Sequence, residues 1–234
     1  YLSILSRWEL RKFTKYDIIL QSIFKGMYAM KILYEDNNIV VCVKEIGLSS
    51  EEDVPKELST QLKSDIYPLH RLDTPVGGVM VYARTKFAAA KFSKKIADNR
   101  DFAKTYVAVC EGVFEEQSGT MEDLLFKDSR KNKSFVVKKE RKGVKKALLT
   151  YEVLGTAMCG DKMCSLVSVT LKTGRSHQIR VQFASRKHPL LGDGKYGSKI
   201  NGDIALFSHK IETDGKCFAE NPPDEKPWNL FGVF

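Results

Sequence analysis

The sequence predicts an α+β fold: a single domain on a mixed, mostly antiparallel β-sheet with flanking helices. Three observations predict it. Short runs rich in β-branched and aromatic residues recur along the chain, and stretches with helical spacing are few. The connections between neighbouring runs are mostly of hairpin length, which favours antiparallel pairing over crossovers. The chain has 234 residues and 43% hydrophobic content, enough for one large core. No internal repeat or low-complexity segment breaks it up.

Residues 1–29 read as an N-terminal extension, and residues 30–234 as the domain. In the extension Ile18, Ile19, Ile23 and Phe24 share a helical face, an alternative that fits a partner-binding helix. Met30 to Val43 reads as two strands around the turn Glu35-Asp36-Asn37-Asn38, and Ile39 to Val43 is apolar enough to be buried on both faces. Lys44 to Leu69 is polar, with one short helix from Pro55 to Lys63. Val79 to Ala83 reads as a buried strand. Thr85 to Asn99 carries helical spacing at Ala88, Phe92, Ile96 and Ala97, and Thr85 is its N-cap. Lys104 to Val109 is a strand ended by Gly112.

The stretch from Lys127 to Lys146 is the most basic in the chain. It reads as a hairpin in which Ser134 to Lys138 pairs with Ala147 to Leu154 across Lys142-Gly143. Tyr151 to Ala157 and Cys164 to Leu171 pair next, around Gly160-Asp161. Thr173-Gly174-Arg175 turns the chain into a helix from His177 to Arg186, with Ile179, Val181 and Phe183 buried. His188-Pro189 stops that helix. A compact loop, Gly192-Asp193-Gly194, precedes a last strand from Ile204 to Ile211 and a Pro-rich tail.

The net charge is +9, which suits a polyanionic partner without choosing among RNA, DNA and membrane. No apolar run is long enough to span a bilayer and no signal-like segment opens the chain, so the sequence reads as soluble and cytoplasmic. Its five cysteines are an odd count with no secretory signal, which argues against a disulfide framework. Cys159 and Cys164 flank a turn without a His or a second Cys pair nearby. They read as small buried side chains rather than a zinc site. No metal site is expected.

The chemistry points to Leu69-His70-Arg71-Leu72-Asp73-Thr74-Pro75-Val76-Gly77-Gly78. An acid sits beside a base at the mouth of a buried strand, Pro75 sets a turn, and the glycines allow close backbone approach. On spacing alone this is either a carboxylate nucleophile or an ordinary surface ion pair. The basic hairpin is either a ribbon laid along a phosphate backbone or an exposed, solubilising loop.

Three segments carry a family resemblance. The stretch around Asp73 resembles the catalytic motif of the RluA-type RNA pseudouridine synthases. Lys104-Thr105-Tyr106-Val107-Ala108-Val109-Cys110-Glu111-Gly112 is similar to a middle segment of that family. Leu171 to Val181, with His188 to Gly197, is similar to its later motif. The order matches, and the resemblance covers roughly residues 30 to 234. One difference is plain: the family usually has Thr-Ser-Gly a few residues after its aspartate, where this chain has Val76-Gly77-Gly78.

The resemblance implies the pseudouridine synthase fold and the isomerisation of uridine to pseudouridine in structured RNA, ribosomal or transfer. It implies no cofactor, because nothing is oxidised and no group is imported. Asp73 matches the catalytic aspartate, attacking C1′ of the ribose or C6 of the uracil. Arg180 matches the arginine that pairs with it, and Tyr106 the tyrosine against the target base, either as a stacking ring or as a proton acceptor. Arg71 matches the position that fills the space left by a flipped nucleotide. With His70 and Arg175 it is an expected RNA contact, and the ribbon lysines Lys138, Lys139 and Lys142 extend that surface. His177, His188 and His209 read as structural, and a monomer is the default. Two other readings compete. A glycosidic-bond hydrolase needs a second carboxylate, for which Asp193 is the only close option. A non-catalytic RNA-binding module needs only the charge.

Overall fold

The computed structural model describes residues 29–98 and 101–234, and residues 31–234 form one compact unit. Ile18, Ile19, Ile23 and Phe24, for which the sequence allows a partner-binding helix, lie outside the described residues. The strands are β1 (Ile32–Glu35), β2 (Ile39–Lys44), β3 (Tyr67–Pro68), β4 (Gly77–Ala83), β5 (Phe102–Glu111), β6 (Ser118–Asp128), β7 (Lys133–Val137), β8 (Val144–Cys159), β9 (Lys162–Leu171), β10 (Leu206–Thr213) and β11 (Lys216–Ala219). They form an 11-stranded sheet in the order β1-β2-β4-β10-β5-β9-β8-β6-β7, with β11 beside β10 and β3 beside β4. Among the described strands only β4 and β10 run parallel, so the sheet is mixed and mostly antiparallel, as expected. Among the described residues three helices flank it: α1 (Asp53–Leu62), α2 (Lys86–Ala97) and α3 (Gln178–Ser185). No helix among the described residues is long and apolar enough to cross a membrane.

Local chemistry explains the elements read correctly. Asp36 closes the β1–β2 turn by accepting from the Asn38 and Ile39 amides at 2.7 and 2.8 Å. Every residue of β4 is buried, in keeping with an unbroken apolar run flanked on both sides. Thr85 accepts from the Ala88 amide at 3.0 Å and so caps α2. Within α2, Ala88 and Phe92 are buried, whereas Ile96 is half-buried and Ala97 exposed, because those two reach the rim of a cleft.

The β4–β10 contact explains the glycine pair. Gly77 and Gly78 sit opposite Phe207 and Ser208. Gly78 has φ +120°, and a Cβ there would lie 2.4 Å from the Ser208 carbonyl oxygen. A side chain is excluded by both backbone conformation and space.

The basic hairpin is differently wired from the expectation. β7 pairs with β6, not with β8, and β8 takes β6 on one side and β9 on the other. Gly143 still turns the chain, with φ +86°. The reason lies in β6, a strand that local pattern did not announce. Its Met121 and Leu125 are buried, so it takes the interior place and leaves short β7 on the edge. β3 and β11 were likewise not anticipated, and the last long strand runs Leu206–Thr213 rather than from Ile204 to Ile211. The cysteines are free thiols, with Cys159 and Cys164 buried in one core cluster as read.

Gly78→Ala should lose about 2–4 kcal/mol in urea unfolding, from backbone clash plus the unfavourable φ. Gly160→Ala, where φ is +70° but nothing lies within 4 Å of the added carbon, should lose only about 1–2 kcal/mol. Equal losses at the two positions would show that close approach to Ser208 is unimportant.

Candidate active site

Asp73 lies in a tight turn that precedes β4, in which the Val76 amide donates to the Asp73 carbonyl at 2.9 Å. The segment after β2 pins this turn. The Ser50 hydroxyl donates to the Leu72 carbonyl at 3.0 Å, and the Gly47 amide to the Thr74 carbonyl at 2.8 Å. Lys44 is buried, and its Nζ donates to the carbonyls of Glu45, Leu48 and Thr74 at 2.9, 2.9 and 3.2 Å. A buried ammonium is tolerable there because backbone oxygens replace its water.

Arg180 comes from α3, which is buried nearly all round. Its neighbour Val181 packs with Leu125 and Ala147, and Gln182 donates to the Met121 carbonyl and to Asp123 at 3.1 and 2.7 Å. These contacts seat α3 against β6 and β8. Arg180 then reaches the other way. Its Nη1 donates to Asp73 Oδ2 at 2.8 Å, across 107 residues of sequence. Its Nε and Nη2 donate to Asp193 Oδ2 and Oδ1 at 2.7 and 2.8 Å. The Asp193 side chain is 1% exposed, that of Arg180 6% and that of Asp73 30%, so of the two carboxylates Asp73 is the one open to solvent. Burial works against the guanidinium's charge, but the hydrogen bonds to Asp193 and then Asp73 outweigh it and push its pKa up.

This clamp forms part of a cleft of about 850 Å³, walled by residues 49–51, 69–75 and 171–177, by Phe102, Lys104 and Tyr106, and by others. Arg71, Lys104, Lys127, Lys172, Arg175 and Lys195 line it, against the single acid Glu51 besides Asp73. A smaller niche of about 70 Å³ brings Asp73 together with Val76, Tyr106, Ile179 and Leu206. Tyr106 is buried on β5. Burial, then the charge of Asp73, push its phenol up, so it keeps its proton at neutral pH. Lys104 shares this end of the cleft, and burial pulls its ammonium down.

The other expected contacts divide. Arg71 is exposed at the cleft, 3.3 Å from Glu51 Oε2, and Arg175 lines the opposite wall with its Nε on the Lys146 carbonyl at 2.8 Å. His70 also lines the cleft, but it is buried and its Nε2 accepts from the Val81 amide at 3.1 Å. Burial, then Lys104, hold its imidazole well below the usual histidine range, so it is neutral. Lys138, Lys139 and Lys142 are exposed in the β7–β8 turn and do not line the cleft. His188 and His209 bond the carbonyls of Glu111 and Glu220 at 3.0 and 2.8 Å, in keeping with structural roles. Asp193, which the sequence offers as a second carboxylate in a compact loop, grips Arg180 instead, a contact that exists only when α3 and the glycine loop are brought together. No group of acids, histidines or cysteines that would hold a metal occurs among the described residues.

With this geometry in place, the likeness to known proteins is specific. A family model described as RNA pseudouridylate synthase matches residues 38–185. An uncharacterized RNA pseudouridine synthase, YhcT, of Bacillus subtilis is 29% identical over 213 residues, covering 82% of this chain and 68% of its own length. The ribosomal large subunit pseudouridine synthase D of Borreliella burgdorferi is 32% identical over 209 residues, covering 78% of this chain and 60% of its own length. The tRNA pseudouridine synthase C of Vibrio cholerae is 28% identical, with 75% of this chain and 77% of its own covered. The solved structure of human RNA pseudouridylate synthase domain containing 1 shares the fold at a TM-score of 0.72, with 23% identity over 87% of this chain and 86% of that one. The matched segment holds Asp73, Tyr106 and Arg180 together, and the chain belongs to the RNA pseudouridylate synthase family.

Proposed function

We propose that this protein isomerises uridine to pseudouridine within structured RNA, ribosomal or transfer, with Asp73 as the nucleophile. The observation that carries the reading is the clamp: a solvent-facing carboxylate held by a buried guanidinium in a cleft lined with basic side chains. In the reaction the N1–C1′ bond breaks and a C5–C1′ bond forms. The C5 proton leaves and N1 gains one, so atoms and electrons balance without a cofactor.

The target base leaves its stack to reach the cleft, which requires a few kcal/mol, less in a loop than in a duplex. Arg71, exposed at the cleft, fills the space that base leaves. Asp73 attacks at C1′ or C6, and Arg180 balances its charge with a geometry a lysine would not reproduce. Because the Tyr106 phenol is held protonated, its contribution is the ring against the base rather than a phenolate. Arg175 and the cleft lysines hold the backbone. His70 shapes the wall of the cleft, and its Nδ1 has no partner among the described residues. Lys138, Lys139 and Lys142 reach RNA beyond the cleft. The acting species in this proposal is a monomer in the cytoplasm.

The hydrolase alternative loses its second carboxylate. Both oxygens of Asp193 accept from Arg180 and its side chain is fully buried, so Asp193 does not activate water.

RNA carrying tritium at uracil C5 tests the proposal. The wild type should release tritium without free uracil. Asp73→Asn should lower release by at least about 10³-fold while RNA affinity stays within about threefold. Full activity in that variant, or release of uracil, removes the assignment.

The outlying ribbon has its own test. Changing Lys138, Lys139 and Lys142 together to Glu should weaken RNA binding. It should also flatten the plot of log affinity against log salt by about 0.7–0.9 per lost phosphate contact. An unchanged slope places the ribbon outside the RNA footprint.

A further inference from the structure

His177 borders the reacting carboxylate, yet no step above uses it. It sits at the N-terminus of α3 with φ 53°, a left-handed conformation uncommon outside glycine, and its side chain makes no cap hydrogen bond. The ring is turned away from the helix instead. Its Nε2 lies 3.6 Å from Asp73 Oδ2, and its Nδ1 lies 2.9 Å from the Tyr196 hydroxyl.

The Tyr196 oxygen decides the tautomer. The Ser134 backbone amide donates to that oxygen at 2.8 Å. The Ser134 hydroxyl also lies against it but turns its own proton to the Ser176 carbonyl at 2.7 Å, and the phenol's proton is within reach of His177 Nδ1. An imidazole that accepts at Nδ1 carries its proton on Nε2 when neutral. The groups that face it are Asp73, Arg180, Lys127, Lys195 and Tyr196. Burial holds its pKa down at about 4; the charge of Asp73 opposes this, and the three cations add to it. At neutral pH the ring is therefore an uncharged N–H donor.

Both donors address one oxygen. Arg180 Nη1 and His177 Nε2 face Asp73 Oδ2, while Asp73 Oδ1 has no hydrogen-bond partner among the described residues. We propose that His177 is a positioning residue, fixed by Tyr196 as the Nε2–H tautomer, that holds Asp73 through Oδ2 and leaves Oδ1 as the attacking oxygen. This rests on the reading of Asp73 as the nucleophile. The 3.6 Å separation is longer than a hydrogen bond, and it closes when substrate excludes water, as catalytic contacts commonly tighten from the unliganded state.

Long-range proton–nitrogen correlation in the free enzyme reads the tautomer, and tritium release reads the consequence. The wild-type His177 ring should show its proton on Nε2, and Tyr196→Phe should give a mixture. Tyr196→Phe and His177→Leu should each lower kcat roughly tenfold with KM within about twofold, and His177→Gln should recover most of the loss. The acid limb of the kcat profile should move to higher pH in His177→Leu. A wild-type Nδ1–H tautomer overturns the proposal. So does unchanged kcat in His177→Leu, or a glutamine variant no better than leucine. Should His177→Leu not fold, the tautomer in wild type and Tyr196→Phe still decides the matter. Because that measurement needs no RNA, failure of uridine as substrate is told apart from failure of this hydrogen-bond chain.

Discussion

Arg180 divides its nitrogens between two carboxylates. Nε and Nη2 hold Asp193, and Nη1 holds Asp73. The division matters because a guanidinium taken out of water needs compensation that a single half-exposed acid cannot supply. Asp193 supplies it from a fully buried position, through two parallel bonds. The remaining arm is then fixed in direction, and it meets Asp73 at the edge of the cleft. Removing Asp193 would leave the guanidinium under-compensated, and removing Arg180 would leave a buried acid unpaired. The three residues work as a unit although they come from a turn, a helix and a glycine loop.

The rest of the fold serves to bring those segments into register. Lys44 and Ser50 hold the turn around Asp73 from behind. Gly78 lets β10 approach β4 closely enough to pair in parallel, which joins the half of the sheet bearing Asp73 to the half bearing Tyr106. α3 is seated by Gln182 and Val181 on β6 and β8, so the sheet that carries the basic ribbon also sets the direction of Arg180.

What could be read from the residues alone follows from range. β1, β2, β4 and the helices announce themselves through apolar runs, Asp36 and Thr85, all within a few residues of the structure they specify. Asp73, Tyr106 and Arg180 are singled out by motifs, although nothing local says that a carboxylate and a guanidinium 107 residues apart will touch. The pairing of β7 was not legible. Two neighbouring strands look like a hairpin until β6, with its buried Met121 and Leu125, takes the place between them. Asp193 looked like loop chemistry because its partner is a property of the folded chain. Charge density marked Lys138 to Lys142 as basic surface. The cleft itself is lined by lysines scattered at positions 104, 127, 172 and 195, which no window of sequence groups together.

The parallel contact between β4 and β10 has a consequence for how the enzyme is made. Phe207 and Ser208 meet residues that left the ribosome about 130 positions earlier. The glycine loop with Asp193 also follows every residue of α3. During synthesis Asp73, Tyr106 and Arg180 all emerge before β10, the strand that joins β4 to β5, and pairings this distant close slowly. Competence therefore arrives last: a nascent chain stalled before residue 205 holds Asp73, Arg180 and Asp193 but lacks the strand that joins β4 to β5.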